Sequence, residues 1–139
     1  MRLFLDANVI FTAAHNAAGR SAAILDLTRL GRCRVATSRH AADEARRNLE
    51  LKYPDALSRF DTLARQWDVV PEAAAADVAW ATEQGLPQKD APILASAVAC
   101  GADMLVTGDR THFGHLLGRR IRGMFVLTPA EALARILPE

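Results

Sequence analysis

The amino-acid sequence predicts an α/β fold in which helices cover both faces of a mostly parallel central sheet of four to five strands. Short apolar runs alternate with longer segments of helical periodicity, a pattern typical of parallel strands joined by crossover helices. Two apolar runs, at 2–5 and 104–106, are followed within a few residues by an aspartate. The segment 91–100 is apolar on nearly every side, as expected of a buried helix.

The remaining elements follow from apolar spacing and from residues that begin or end helices. Gly31 is a helix C-cap, Ser38 is an N-cap, and the segment 128–131 matches a capping box with proline at the first helical position. In chain order the sequence predicts a strand at 2–5, helices at 9–14 and 21–30, a strand at 33–37, helices at 39–52 and 55–66, a strand at 67–70, helices at 73–84 and 91–100, a strand at 104–106, a loop at 108–123, a strand at 124–127 and a helix at 129–137.

Length and composition indicate one folded domain that spans residues 1–139. With 50% hydrophobic and 24% charged residues, the chain is neither disordered nor strongly charged. No apolar run approaches the ~18 residues of a membrane span, and the N-terminus lacks a signal-peptide core. We therefore expect a cytoplasmic protein with no membrane contact. Arginines cluster at 46–47 and 119–120, a basic rim that is compatible with nucleic acid but does not require it.

Four acidic residues stand where a strand end or a buried helix directs them toward one crevice. Asp6 and Asp109 follow strands, and groups beyond the carboxyl ends of parallel strands face the ligand crevice of such sheets. Asp90 is the predicted N-cap of the buried helix. Glu44 lies roughly 100° from the centre of the apolar stripe of its helix, at the edge of the buried face. Asp43 lies roughly 160° away, toward solvent.

Each acid alone has a structural explanation. Asp90 can serve only as a helix cap, and Glu44 can pair with Arg47 on its own helix. Asp6 and Asp109 can accept hydrogen bonds from turn amides. Together the acids point further, because carboxylates ~4 Å apart repel by roughly 4 kcal/mol per pair at an effective dielectric of about 20. A cation offsets that repulsion. Oxygen ligands suit Mg²⁺ or Mn²⁺, ions that activate water and clamp a phosphate in phosphodiester cleavage.

The sequence resembles the PIN-domain nucleases over essentially its whole length. The N-terminal block Leu5-Asp6-Ala7-Asn8 and Glu44 on a mid-chain helix match the family. The more specific matches are two later blocks in order and spacing, 89–97 (KDAPILASA) and 101–109 (GADMLVTGD). The resemblance implies a three-layer sandwich and a metal-dependent endoribonuclease that cleaves single-stranded RNA.

The resemblance also assigns residues and partners. It implies that Mg²⁺ or Mn²⁺ is bound by a catalytic acidic quartet, which consists of Asp6, Glu44, Asp90 and Asp109. Asn8 and Thr107 match the polar positions beside the first and last acids. Many small members of the family are toxins of toxin–antitoxin pairs, so the resemblance implies an antitoxin partner and a homodimer. Apolar residues of the helix 21–30 (Ile24, Leu27 and Leu30) also suggest a dimer surface.

One motif departs from the family pattern. After Asp109 the family often carries a further aspartate before the phenylalanine, where this chain has Thr111-His112-Phe113. Basic residues that the sequence offers for steering an RNA backbone are Arg20, Arg46, Arg110, His112 and Arg119. For any one of these arginines, the simpler interpretation is a solvated side chain on the surface. For His112, the simpler interpretation is an ordinary loop residue.

Two other functional classes remain open. A phosphatase of the haloacid-dehalogenase type also carries an aspartate after its first strand, but such enzymes need a second aspartate two residues on, where this chain has Asn8. A PIN-like module that binds RNA or protein without cleaving it is the other alternative.

Overall fold

Six strands form the sheet at the centre of the computed structural model, which describes residues 1–137. They are β1 (Arg2–Leu5), β2 (Arg34–Ser38), β3 (Trp67–Val70), β4 (Met104–Val106), β5 (Arg120–Ile121) and β6 (Met124–Leu127). Their order is β3-β2-β1-β4-β6-β5, and every neighbouring pair is parallel except β5 and β6. The predicted α/β class and mostly parallel sheet are confirmed, with one strand more than expected. Residues 138 and 139 of the predicted domain lie outside the described part.

Helices cover the sheet on two sides. They are α1 (Ala7–His15), α2 (Arg20–Arg29), α3 (Arg39–Lys52), α4 (Leu57–Leu63), α5 (Ala75–Thr82), α6 (Ala91–Ala99), α7 (Arg110–Phe113) and α8 (Pro129–Ile136). Helix α1 contacts α2, α3 and α4, and α2 contacts α8, while α5 packs against α6. The chain moves outward from β1 through β2 to β3 and then returns to β4 on the other side of β1. Because crossovers between parallel strands are right-handed, the helices of the outward run (α1 to α4) and those of the return (α5 and α6) lie on opposite faces of the sheet.

The core is formed where the apolar strands meet the apolar sides of these helices. The β1 side chains Leu3, Phe4 and Leu5 have no exposed surface, and neither do Leu105 and Val106 of β4. Strands buried on both faces read as continuous apolar runs rather than as alternating patterns. This explains why short apolar runs in the sequence identified the central strands correctly.

The topology brings the ends of β1 and β4 together. Strand β1 pairs with β2 on one side and with β4 on the other, with Phe4 opposite Leu105. The chain moves outward from β1 in one direction first and in the other direction later, so the β1–β4 boundary is a topological switch point. Crevices at such points, outside the carboxyl ends of the strands, are the usual ligand sites of open α/β sheets.

Two regions differ from the sequence-based expectation. The predicted helix 55–66 is the α-helix α4 with a 3₁₀ turn at either end, Pro54–Ala56 and Ala64–Gln66. The predicted loop 108–123 contains α7 and the strand β5, which forms a short hairpin with the predicted strand β6. The hairpin turn places Arg122 and Gly123 at positive φ, 49° and 81°, as a two-residue turn of this kind requires. An Arg-Gly pair is a weak turn signal, so the sequence did not predict this hairpin. The Arg122 side chain packs outside the turn, with its guanidinium 3.7 Å from the centre of the Trp80 ring.

The helix that suggested a dimer surface is largely absorbed into the core. Ile24 is fully buried and Leu27 packs against the core, while Leu30 keeps 68% of its surface exposed. Of these three residues, Leu30 offers the most exposed surface for a subunit contact, Leu27 is partly buried, and Ile24 offers none. No helix within residues 1–137 is long and apolar enough to cross a membrane.

Candidate active site

Asp6 lies between β1 and α1, directly after the last residue of the strand and directly before the first residue of the helix. Its backbone is extended, and its Oδ1 accepts a hydrogen bond of 2.7 Å from the Ala7 amide, which makes it the N-cap of α1. Its Oδ2 accepts hydrogen bonds from Thr107 Oγ1 at 2.8 Å and from Asn8 Nδ2 at 3.0 Å. The carboxylate is thus held from both strands, and only 4% of the residue is exposed.

Burial gives Asp6 an unusual acidity. Removal from water disfavours the charged carboxylate and, as the largest cause, raises its pKa from 3.8 to about 6. The hydrogen bonds from Thr107 and Ala7 act in the opposite direction, and the negative charges of Asp90 and Glu44 raise the pKa further. At neutral pH the carboxylate is ionised at an energetic cost that a nearby cation would relieve.

Asn8 and Thr107 tie the two strand ends together. Asn8 Oδ1 accepts a hydrogen bond of 2.7 Å from the amide of Gly108, which follows β4. Thr107 Oγ1 donates to Asp6 and accepts from the Asp109 amide at 3.1 Å. These side chains fix the relative position of Asp6 and Asp109, which are 103 residues apart in sequence.

Asp109 is the N-cap of the one-turn helix α7, and His112 holds both of its carboxylate oxygens. Oδ1 accepts the His112 amide at 3.0 Å, and Oδ2 lies 2.8 Å from His112 Nδ1. Partial burial raises the pKa of Asp109, but the hydrogen bonds and charge of His112 outweigh it, so the pKa lies below its ordinary value. Asp109 is therefore ionised throughout the neutral range.

Asp90 stands at the N-cap position of α6 without capping the helix. Its backbone is in the helical region, and its side chain accepts no hydrogen bond from the helix. Asp90 Oδ2 is buried and has no hydrogen-bond partner in the described part of the chain, although His112 Nδ1 lies 3.2 Å away. His112 Nδ1 is nearer to Asp109 Oδ2, at 2.8 Å, and its hydrogen bond is with that oxygen, so the contact with Asp90 is electrostatic. The structural explanation of Asp90 as a simple cap is wrong.

Burial also raises the pKa of Asp90. Desolvation is the largest cause, and the negative charges of Asp109 and Glu44 add to it. His112 and Lys89 act in the opposite direction. Lys89 was not among the basic residues chosen from the sequence, although its place directly before Asp90 is the signal that could have identified it.

All four predicted acids lie on the wall of one cleft with a volume of about 510 Å³. Glu44 enters this wall from α3 and has no ion-pair partner among residues 1–137, so the alternative explanation by a pair with Arg47 does not hold there. The lining residues are Asp6, Asn8, Val9, Thr12, Ser21, Glu44, Lys89, Asp90, Gly108, Asp109 and Pro129.

The residues of the cleft fit a divalent cation. The charges of neighbouring carboxylates raise the pKa of Asp6 and of Asp90, and Asp90 presents a buried oxygen that accepts no hydrogen bond from residues 1–137. An oxygen of this kind is unfavourable without a partner, and carboxylate oxygens are the ligands that Mg²⁺ and Mn²⁺ prefer. Asp90 and Asp109 place ligand oxygens within 4.8 Å of each other, and Asp6 and Glu44 line the same cleft.

The predicted basic residues fall into three groups. Arg20 and Arg110 line a second cavity of about 520 Å³ that shares Thr12, Ser21, Gly108 and Pro129 with the acidic cleft. His112 is inside the site, against Asp109. Arg46 forms ion pairs with Asp61 and Glu50 outside the cleft, and the exposed Arg119 is not part of the cleft wall.

Comparison with known proteins identifies relatives of this architecture. A family model described as PIN domain matches residues 2–111. Comparison of the sequence with curated proteins finds no match.

Solved structures share the fold at low sequence identity. PAE2754 from Pyrobaculum aerophilum has 18% identity and a TM-score of 0.70, with 98% of this chain and 95% of that chain covered. VapBC2 from Rickettsia felis, solved with a DNA fragment from the promoter, has 16% identity and a TM-score of 0.66, covering 92% and 98%. FitAcB from Neisseria gonorrhoeae has 20% identity and a TM-score of 0.58, covering 92% and 98%.

Proposed function

The chain belongs to the PIN-domain family, and on that premise we propose that it is a divalent-metal-dependent endoribonuclease acting on single-stranded RNA. The observation that carries the proposal is the convergence of Asp6, Glu44, Asp90 and Asp109 on one cleft at the switch point of the sheet. Two further features support it: the unpartnered oxygen of Asp90 and the raised pKa of Asp6. A bound cation would stabilise both features, which is why they support the proposal.

The protein contributes position and charge to the proposed reaction. Thr107 and Asn8 fix the Asp6 carboxylate, and His112 fixes that of Asp109, so two acids are rigid before any ligand arrives. Asp90 and Glu44 complete the oxygen set. A bound Mg²⁺ or Mn²⁺ would supply Lewis acidity and neutralise charge on the scissile phosphate. No side chain has to act as a covalent nucleophile.

The surroundings of the cleft suit a polyanion that passes through it. Lys89 lies in its wall, and the adjoining cavity carries Arg20 and Arg110. These cations can contact phosphates on one side of the acidic centre, a role that is independent of base sequence and weakens with salt. The choice of RNA over DNA rests on the family resemblance.

We further propose that residues 1–139 form a single domain that acts as the toxin of a toxin–antitoxin pair in the cytoplasm. Support comes from the fold that the chain shares with VapBC2 and FitAcB. In this role a partner protein binds the toxin and blocks cleavage, and the toxin forms a homodimer. Mass measurement by light scattering during size-exclusion chromatography tests the dimer, with a monomer over the micromolar range as the contradicting result.

The cleavage proposal is tested with a matched pair of substitutions on α3. Glu44→Gln removes a charge from the cleft, whereas Asp43→Asn removes one from the neighbouring exposed position. With labelled single-stranded RNA and Mn²⁺, we expect Glu44→Gln to lower the cleavage rate by about 100-fold or more and Asp43→Asn to leave it within about twofold. Chelation of the metal should abolish cleavage by the wild type.

Other outcomes identify the competing functions. RNA binding with no cleavage under any metal would assign the chain to the non-cleaving module. Turnover of p-nitrophenyl phosphate without RNA cleavage would assign it to the phosphatases. Equal losses for Glu44→Gln and Asp43→Asn would remove the cleft from the reaction.

A further inference from the structure

We propose that His112 is a nitrogen ligand of the bound cation, beside Asp90 and Asp109, and that it biases the site toward Mn²⁺, Co²⁺, Ni²⁺ and Zn²⁺ over Mg²⁺. The inference rests on the proposed metal site and concerns which ion it selects. His112 stands where the family often has an acid, and that exchange changes the donor set from oxygen alone to oxygen with nitrogen.

The three side chains have the spacing of ligands to a common ion. His112 Nδ1 lies 2.8 Å from Asp109 Oδ2 and 3.2 Å from Asp90 Oδ2. One ligand atom from each residue lies within 4.8 Å of the other two. Adjacent ligands around an ion with bonds of about 2.1 Å are roughly 3 Å apart, so no large movement is needed to enclose one.

Hydrogen bonding within the trio is incomplete. The ring presents one atom, Nδ1, to two carboxylates, and the bond it makes goes to Asp109. Asp90 Oδ2 remains buried without a hydrogen bond, 3.2 Å from the same nitrogen. A cation between the three atoms would satisfy all of them at once, which a single proton on Nδ1 cannot do.

The ring is held in place by its own helical turn. The His112 amide donates to Asp109 Oδ1, and the next residue, Phe113, has no exposed surface and anchors α7 in the core. Gly114 ends the turn so tightly that a Cβ there would lie 2.2 Å from the Arg110 carbonyl oxygen. With 32% of its side chain exposed, His112 is positioned by this framework while its ring edge faces the cleft acids.

The chemical consequence is a change in metal preference. Mg²⁺ prefers oxygen ligands and exchanges its water reluctantly, whereas imidazole binds the later divalent transition ions strongly. An oxygen-only quartet would discriminate weakly between Mg²⁺ and Mn²⁺. A quartet supplemented by His112 should favour Co²⁺ and Ni²⁺ over Mg²⁺ by a much larger factor.

The experiment compares metal affinities of tag-free protein by isothermal titration calorimetry with Co²⁺ and Mg²⁺. We expect His112→Asn to weaken Co²⁺ binding about 10- to 100-fold and Mg²⁺ binding by less than about threefold. His115→Asn is the matched control, since the His115 ring bonds the Gln84 carbonyl at 2.7 Å outside the cleft. An unchanged ratio of Co²⁺ to Mg²⁺ affinity in His112→Asn would overturn the proposal.

A second measurement needs no variant to fold. Pulsed electron paramagnetic resonance of the Mn²⁺-loaded wild type should show coupling to an imidazole nitrogen, and its absence would refute ligation by His112. Failure of the proposed function gives a different result. Nitrogen coupling without RNA cleavage would support His112 as a ligand and refute the nuclease assignment. RNA cleavage without the coupling would support the nuclease assignment and refute His112 as a ligand.

Discussion

The raised pKa of Asp6 predicts that metal-free protein becomes less stable as pH rises from about 4 to about 6. Below pH 4 the carboxyl carries its proton in both the folded and the unfolded chain. Between the two pKa values the folded state keeps the proton while the unfolded state has released it, so unfolding becomes more favourable with each step in pH. Above pH 6 both states are ionised, and the loss of stability is complete.

The size of this effect follows from the shift itself. A change from 3.8 to about 6 corresponds to about 3 kcal/mol of unfolding free energy, since one pKa unit is worth about 1.4 kcal/mol. Burial justifies using the shift without a large correction for solvent screening, because Asp6 is only 4% exposed. Asp90 has a shift of the same direction, whereas Asp109 has the opposite one, so the wild-type curve alone mixes several groups.

The substitution Asp6→Asn isolates the contribution of Asp6. An asparagine side chain cannot titrate and has the shape of the protonated acid, so its altered hydrogen bonding adds an offset that pH does not change. Urea unfolding in chelator from pH 4 to 7.5 should show the variant gaining about 2.5 kcal/mol relative to wild type, because part of the full effect is already present at pH 4. The exposed Asp26→Asn serves as the control exchange on the surface. A wild-type-to-variant difference that stays constant across this interval would refute the assigned cause.

Three further substitutions test the framework of the site. Thr107→Val removes the hydroxyl that bonds both Asp6 and Asp109, and we expect a loss of about 1–3 kcal/mol in urea unfolding at pH 7. Gly114→Ala places a methyl group 2.2 Å from a carbonyl oxygen, which should lower stability by about 1–3 kcal/mol and displace the α7 turn, measurable as altered NMR shifts of the cleft residues. Thr128→Ala breaks the capping box of α8 and should lower the unfolding free energy by about 1 kcal/mol without changing metal affinity.

The sequence predicted the parts of the fold that follow local rules. Continuous apolar runs identified β1 and β4 because both faces of these strands are buried, and Ser38 and Thr128 marked helix starts where their side chains accept backbone hydrogen bonds. The two-residue strand β5 escaped prediction because, within residues 1–137, it pairs with the antiparallel strand β6 alone and its hairpin turn has Arg122 at positive φ. Neither feature has a strong local signal.

The acids of the site were accessible to sequence reasoning, but their surroundings were not. Strand ends indicated Asp6 and Asp109, and a helical wheel separated Glu44 from Asp43. Both inferences depend on the regular spacing of residues in strands and helices, which the sequence shows directly. The position of His112 against Asp109 depends on α7, a helix of four residues that has no periodic pattern to detect. The free oxygen of Asp90 depends on how α6 meets the cleft, which only the tertiary structure determines.

The four acids are compatible with a stable fold because they do not carry four full charges under all conditions. Burial raises the proton affinity of Asp6 and Asp90, while the amide and ring of His112 keep Asp109 ionised. A mildly acidic solution can therefore relieve part of the repulsion by protonating Asp6, whose pKa is about 6. Near neutral pH that relief disappears, and a bound cation would offset the repulsion that His112 and Lys89 leave. The same burial that makes the metal-free site unstable at neutral pH is thus what would make it a metal site.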